Sequence, residues 1–176
     1  MSLKSGDFNL TIRMAHEGDV PAVFFMLHES AIAQGGEDEL CANPFNLRED
    51  GFGREPRFRC LLAEVDGKPV GLILYFVVYS TWSSRNGLCI EDLYVTPQSR
   101  RQGIGRALMS EVARNAIETG CRYIQWAALR ANNSALRFYE SIGARTLSEW
   151  MLLRVHGEEL NRLSKAPTNF RPNRNE

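Results

Sequence analysis

Residues 91–109, EDLYVTPQSRRQGIGRALM, constrain the fold more than any other stretch of the chain. Apolar alternation gives way to a turn, then to arginines and two spaced glycines, and then to a helical apolar spacing. A strand that hands over to a helix through bare backbone is a βα junction, and the first N–H groups of such a helix have no intrahelical partner. They make an anion site, because the helix macrodipole adds a favourable field at the same end. Gly103 and Gly105 leave the backbone accessible, and Arg100, Arg101 and Arg106 offer charge-assisted contacts to phosphate oxygens. A tight turn with close packing accounts for the same glycines, so the junction alone fixes a βα unit and leaves its ligand open.

The surrounding pattern extends that unit in both directions. Ile104, Leu108, Val112 and Ala116 share one stripe of the helix. GLCIEDLYV precedes it as a strand, RYIQWAAL follows as another, NNSALRFYESIG reads as a short helix ended by Gly143, and WMLLRV as a last strand. Strand, helix, strand, helix, strand from residue 87 onward demands at least one βαβ crossover and a parallel pair. Upstream, FRCLLAEV and PVGLILYFVVYS flank DGK, the strongest hairpin signal in the chain. LTIRMA reads as the first strand. In the helix after it, Asp19 serves as cap and Val20, Val23, Phe24, Leu27 and Ala31 form one face. The connecting loop carries the acids Glu37, Asp38 and Glu39, then a short helix capped by Asn43, opened by Pro44 and stopped by Gly51 and Gly53. The fold class is α/β, a mixed central sheet with helices on both faces.

The 176 residues suit one domain, with residues 1–8 read as a disordered or non-native leader, 9–163 as the domain and 164–176 as a polar tail. The 21 basic and 21 acidic residues cancel, which gives no general electrostatic reason to expect nucleic acid or an anionic membrane as partner. Cys41, Cys60, Cys89 and Cys121 are widely spaced and show no ligand spacing with His16, His28 or His156, so reduced thiols and no metal are expected. No segment is long and apolar enough to span a bilayer, and a cytoplasmic location is expected.

RRQGIG, followed at the right distance by NNSALRFYESIGA, resembles the signature of the GNAT superfamily of acyl-CoA-dependent N-acetyltransferases, over roughly residues 9–163. The resemblance implies a GNAT fold, a sheet splayed into a V between its fourth and fifth strands, with acetyl-CoA held in the cleft as acetyl donor. It implies that the strand edge at Leu93, Tyr94 and Val95 pairs with pantetheine amides. It places the pyrophosphate on the backbone of Gln102, Gly103, Ile104 and Gly105, with Arg100, Arg101 and Arg106 beside it, and Asn132 as helix cap and cofactor contact. REDGFG, YSTW and CIEDLYV are further similar to the spermidine/spermine branch, which includes enzymes acting on thialysine. Two departures from that branch, Ser80 in place of an acid and Ala33-Gln34 in place of Tyr-Glu, favour a smaller amine than spermidine or spermine. The branch also implies a homodimer, to which the apolar WMLLRVHGEEL segment is suited.

The chemistry sets matching demands. An alkylamine near the pKa of lysine is only about one part in 10³ neutral at pH 7, so a site that captures the cation must also take its proton. Glu91 and Asp92 are adjacent on a strand and therefore point to opposite faces. The branch resemblance makes Glu91 the base, through a water, with Asp92, Glu37 and Asp38 holding the cation and Trp82 lining the acceptor pocket. Tyr139 lies on the apolar stripe of Ala135, Phe138 and Ile142, which suits a core tyrosine; the resemblance implies that it is the acid, a phenol within about 1.5 units of a thiol that can hydrogen-bond to the departing thiolate. The expected function is direct acetyl transfer from acetyl-CoA to a primary amine of a small molecule. A protein lysine or N-terminal amine as acceptor, and a non-catalytic CoA-binding module, are the alternatives.

Overall fold

The computed structural model describes residues 2–4 and 8–166. The chain divides into two compact units, residues 1–136 and 137–176. The first holds a six-stranded sheet in sequence order: β1 (Ser2–Lys4), β2 (Asn9–Met14), β3 (Arg59–Val65), β4 (Lys68–Ser80), β5 (Arg85–Val95) and β6 (Ile124–Trp126). The first five strands run antiparallel to their neighbours, and β5 pairs with β6 in parallel. The helices are α1 (Val20–Gln34), α2 (Pro44–Phe52), α3 (Ile104–Glu118), α4 (Asn133–Ser141) and α5 (Gly157–Ser164). The α3 helix is the crossover that the strand order demands. Ser2–Lys4, inside the stretch read as a leader, pairs along β2, while residues 167–176 of the expected tail lie outside the described residues.

Helices cover both faces of the sheet. Val20, Val23, Met26 and Leu27 of α1 and Leu47 of α2 pack on Cys60, Leu62, Leu72 and Tyr94. On the opposite face α3 buries the expected stripe of Ile104, Leu108, Val112 and Ala116. Gly71, next to Leu72 and therefore facing α3, has no room for more: a Cβ there would stand 2.9 Å from the Tyr94 carbonyl oxygen and 3.5 Å from Ile104 Cγ2. The DGK hairpin forms as expected, with Asp66 and Gly67 both left-handed (φ 50° and 77°), the pattern of a two-residue turn that matches strand twist. Asn43 caps α2 through Oδ1, which accepts the Asn46 N–H at 3.0 Å.

Three expectations are corrected. Asp19 precedes α1 but does not cap it, because its carboxylate is engaged elsewhere. It accepts from Arg13 at 2.7 and 2.8 Å and from the His16 N–H at 2.8 Å, while Arg13 also reaches Glu64 at 2.6 Å. Gly51 lies inside α2, which ends at Gly53 instead; the bare Cα of Gly51 admits the Phe58 ring. The WMLLRV run forms no strand: residues 150–156 are irregular, with Met151, Leu152 and Leu153 each more than three-quarters exposed. A strand exists only by pairing, and RYIQWAAL itself yields just the three ladder residues of β6.

One irregularity shapes the site. Tyr75 pairs with Ile90 and Leu74 with Asp92, so Glu91 has no opposite number on β4 and forms a β-bulge. The bulge re-phases the strand. Before it Leu88 and Ile90 lie on the α3 side with Tyr75, and after it Asp92 and Tyr94 lie with Leu74 and Leu72 on the α1 side. Bulges also bend and twist the strand that carries them. The pairing of β5 with β6 ends at Ile90↔Trp126, one residue before the bulge, and β5 runs on to Val95 without a further strand on that edge among the described residues. Counted from β2, these are the fourth and fifth strands, where the resemblance places the opening of the V.

Candidate active site

A cavity of about 330 Å³ lies between α1, the loop after it, α2 and the sheet. Ser30 and Gln34 line it from α1, Gly36 and Leu40 from the loop, Leu47 from α2, and Leu74 and Asp92 from the floor. The bulge is what turns Asp92 into this space. Withdrawal from water, and secondarily the Glu91 charge, push the Asp92 carboxyl up to about 6. Glu91 itself is exposed. On β3, two strands from β5, burial and then the charges of Asp92 and Asp19 push the Cys60 thiol up to about 12. The Gln34 amide donates to the buried Ser30 hydroxyl at 3.0 Å, so this wall of the cavity is polar and uncharged.

At the end of β5 the chain makes the βα junction that residues 91–109 spell out. A 3-10 turn at Pro97–Ser99 leads to Arg101 and Gly103, both left-handed (φ 66° and 82°), and α3 starts at Ile104. Left-handed backbone is uncommon for arginine and points to a shaped loop. Gly103, Gln102, Arg101 and Arg106 are exposed, and nothing lies within 4 Å of where a Cβ of Gly103 would stand. The N-terminus of α3 is therefore open at Gly103, and such helix ends favour anions. Arg100 is partly committed: its Nε donates to the Val95 carbonyl at 2.9 Å, and its guanidinium lies 5.6 Å above the Tyr94 ring. Tyr94 in turn donates its hydroxyl to Glu29 of α1 at 3.3 Å. The Gln102 amide donates to the Gln98 carbonyl at 3.2 Å and braces the loop.

The predicted residues fall into distinct places. Asp92 lines the cavity, and Leu93, Tyr94 and Val95 lie on the free stretch of β5. Trp82, by contrast, is 89% exposed in the β4–β5 turn and does not line the cavity. Glu37 sits in a 3-10 turn after α1, where its Oε1 lies 3.4 Å from His28 Nε2; neither it nor Asp38 lines the cavity, although Gly36 and Leu40 beside them do. Asn132 caps α4, accepting the Ala135 N–H at 3.1 Å. Tyr139 belongs to the second unit, where it stacks at a tilt against Phe138 with ring centroids 5.4 Å apart. Its carbonyl accepts from Ile142 and Ala144, closing the helix toward the left-handed Gly143, and burial pushes its phenol up. The sequence reading misses Ser30, Leu40, Leu47 and Leu74, which are brought together only by the tertiary fold.

Among the described residues, no helix is long and apolar enough to cross a membrane, and no three His, Cys, Asp or Glu side chains cluster so as to hold a metal ion.

Comparison with known proteins bears directly on this arrangement. Residues 25–144 match the acetyltransferase (GNAT) family. The chain is 38% identical to a thialysine N-epsilon-acetyltransferase of Sus scrofa over 167 residues, covering 89% of this chain and 98% of that protein. It is 34% identical to the spermidine/spermine N(1)-acetyltransferase-like protein 1 of Homo sapiens, covering 85% of this chain and 23% of that longer protein. Among solved structures, an integron cassette protein from the mobile metagenome of V. cholerae superposes with a TM-score of 0.75 at 25% identity, covering 89% of this chain and 98% of that one. The chain belongs to the acetyltransferase (GNAT) family and is an N-acetyltransferase, of a class whose co-substrate is acetyl-CoA.

Proposed function

We propose that the protein moves the acetyl group of acetyl-CoA directly to the primary amine of a small molecule, lysine-like or a short diamine, within one ternary complex. The observation that carries this reading is the cavity beside the free edge of β5, in which Asp92 is the one carboxylate among the lining residues. A single half-buried carboxylate suits a substrate that brings one cationic centre into the cavity, and the uncharged Ser30–Gln34 wall offers nothing to a second. The relatives named for thialysine support the same class, and the relative named for spermidine and spermine marks the polyamine alternative.

In this reading the N-terminus of α3 holds the pyrophosphate through the N–H groups of Gln102, Gly103, Ile104 and Gly105, with Arg101 and Arg106 adding charge and Arg100 bracing the loop. Leu93–Val95 offers backbone groups to the pantetheine amides, and Asn132 contacts the cofactor from the start of α4. Glu91 receives the acceptor's proton through a water, and Asp92 holds the ammonium group. Glu37, Asp38 and Trp82 attract and guide the amine from outside the cavity. Tyr139 hydrogen-bonds to the leaving thiolate, its burial keeping the phenol protonated at neutral pH. The protein acts in the cytoplasm as a homodimer, with the exposed 147–155 segment as part of the contact.

Turnover of acetyl-CoA with a panel of thialysine, lysine, ornithine, short diamines, spermidine and spermine tests the reading. A kcat/KM highest for a lysine-like amine or short diamine is expected. Acetylation of spermine ahead of every short amine would reverse the ranking, and binding without turnover on any amine would reject the small-molecule reading. Light scattering at micromolar concentration is expected to give about twice the chain mass.

A further inference from the structure

We propose that a second cavity, on the α3 face of the sheet, is a binding site for a small organic anion, a carboxylate carried on an apolar body. None of the residues lining this cavity lines the one that holds Asp92, so the site is separate from the acetyl-transfer cavity. Its origin is a difference in strand length. β4 has 13 residues against 7 in β3, and their pairing starts at Arg59↔Tyr75, so β4 runs on past Tyr75 with no strand on that side among the described residues. The sheet surface left uncovered there is the floor of a cavity of about 320 Å³, walled by residues 56–58 ahead of β3 and by the C-terminal end of α3. Small-molecule sites begin at about this size.

Two features give the cavity its chemistry. Tyr75 lines it and is 1% exposed, and its hydroxyl is buried without a hydrogen-bond partner. Such orphans are uncommon and costly, and an acceptor carried by a ligand removes the cost. The second feature is charge: Arg57 and Arg59 line the cavity and no acid does. Arg57 is held by Asp50 at 3.2 Å, whereas Arg59 makes no ion pair among the described residues. Arg59 is the cross-strand neighbour of Tyr75, so both side chains rise from one face. Burial pushes the Tyr75 phenol up and the Arg59 charge offsets part of that rise, yet the guanidinium completes no hydrogen bond to the hydroxyl. A phenol that stays protonated, beside a cation without a counter-ion, is complemented by a carboxylate, which accepts from both.

The remaining walls set the rest of the ligand. Phe58, Val77 and Leu88 offer apolar contact, with Val77 59% exposed while nothing fills the space. A helix C-terminus disfavours an anion, but the last carbonyls of α3 are already taken. The Thr119 N–H and hydroxyl both donate to the Asn115 carbonyl, at 3.0 and 2.7 Å, the Gly120 N–H to Ile117 and the Cys121 N–H to Ala116. Glu111, the α3 acid whose charge is felt at Tyr75, is paired with Arg114 at 2.7 Å. The carboxylate of the ligand therefore lies at Arg59 and Tyr75, and its apolar body against Val77 and Leu88.

The test is calorimetric titration of the full chain with benzoate, phenylacetate, acetate and inorganic phosphate, each with and without saturating acetyl-CoA. Saturable binding of benzoate or phenylacetate is expected, about 10-fold or more tighter than that of acetate or phosphate, because only the former fill the apolar part. Acetyl-CoA should leave that Kd unchanged. Arg59→Ala should weaken it about 10-fold or more, with part of the loss recovered in Arg59→Lys. Tyr75→Phe should weaken it about 5- to 10-fold and, without ligand, melt no lower than the wild type, since an unpaired buried hydroxyl is removed. No saturable binding of either aromatic carboxylate at millimolar concentration would overturn the proposal. So would binding that acetyl-CoA abolishes, which would put the anion at the N-terminus of α3, or binding undiminished in Arg59→Ala. A Tyr75→Phe variant that melts well below the wild type or fails to fold would show the hydroxyl already satisfied in the free protein, and would refute the premise as surely.

Discussion

Replacing Gly103 by alanine separates a turn glycine from an anion-site glycine. At φ 82° the residue sits in the left-handed region, where a Cβ costs about 1–2 kcal/mol. Nothing stands within 4 Å of that Cβ, so no packing penalty adds to the backbone cost. For a chain of this length each kcal/mol lowers Tm by roughly 2–4 °C, which predicts a modest fall. The methyl group, however, projects into the open space over the first N–H groups of α3. If a pyrophosphate occupies that space, displacing one charge-assisted hydrogen bond costs about 1.5–3 kcal/mol, a Kd weaker by about 10- to 150-fold. Calorimetric titration with acetyl-CoA at fixed salt, paired with a melting curve, reads both effects. A lowered Tm with an unchanged Kd would refute the anion site and leave Gly103 as a turn residue. Gly71→Ala is the complementary control: its Cβ is forced to 2.9 Å from the Tyr94 carbonyl oxygen inside the core, so overpacking of about 1–3 kcal/mol should appear as lost stability.

Tyr139→Phe should lower kcat by about 10²-fold or more while cofactor Kd and Tm stay close to wild type; a drop below about threefold would reject the acid role. Arg13 holds the Asp19 carboxyl below its ordinary range, so the stability it contributes is present above the unfolded carboxyl range and is lost as pH falls through the depressed folded value. Wild type should therefore lose Tm more steeply than Asp19→Asn on acidification below about pH 4, and parallel curves would contradict the coupling. Cys60, buried with its thiol pushed up to about 12, should resist a thiol reagent in the native protein while exposed Cys41 reacts at once. Prompt native-state labelling of Cys60 would show that the core around it opens.

The elements legible in the sequence are those set by local chemistry. DGK declares its hairpin, Asn43-Pro44 its helix start, and the 104–116 stripe its helix, because each signal is complete within a few residues. The βα junction is legible for the same reason, down to the glycine that α3 needs at its start. The cavity is not legible, since Ser30, Leu47 and Leu74 become neighbours only when α1 and α2 settle on the sheet. Asp19 looks like a cap, yet Arg13, six residues earlier and on β2, takes its carboxylate. The apolar WMLLRV run looks like a strand because sequence records β-propensity and not the partner that would make the ladder. Glu91 carries no glycine or proline to announce a bulge, so alternation alone could not tell which acid of the pair faces the cavity.

That bulge also costs the sheet regular pairing. Without Glu91 the ladder on β4 would be regular, Ile90 opposite Tyr75 and Asp92 opposite Leu74, with every downstream pair already in place. A straighter β5 would have no reason to part from β6 after Ile90, and the two strands could zip onward along Leu93–Val95. Such a chain would bury more backbone hydrogen bonds and gain stability, and it would consume the free edge of β5. The one residue that spoils the ladder thus sits where the sheet stops being closed on that side, and beyond it Leu93–Val95 keep an edge that a further extended segment could take up.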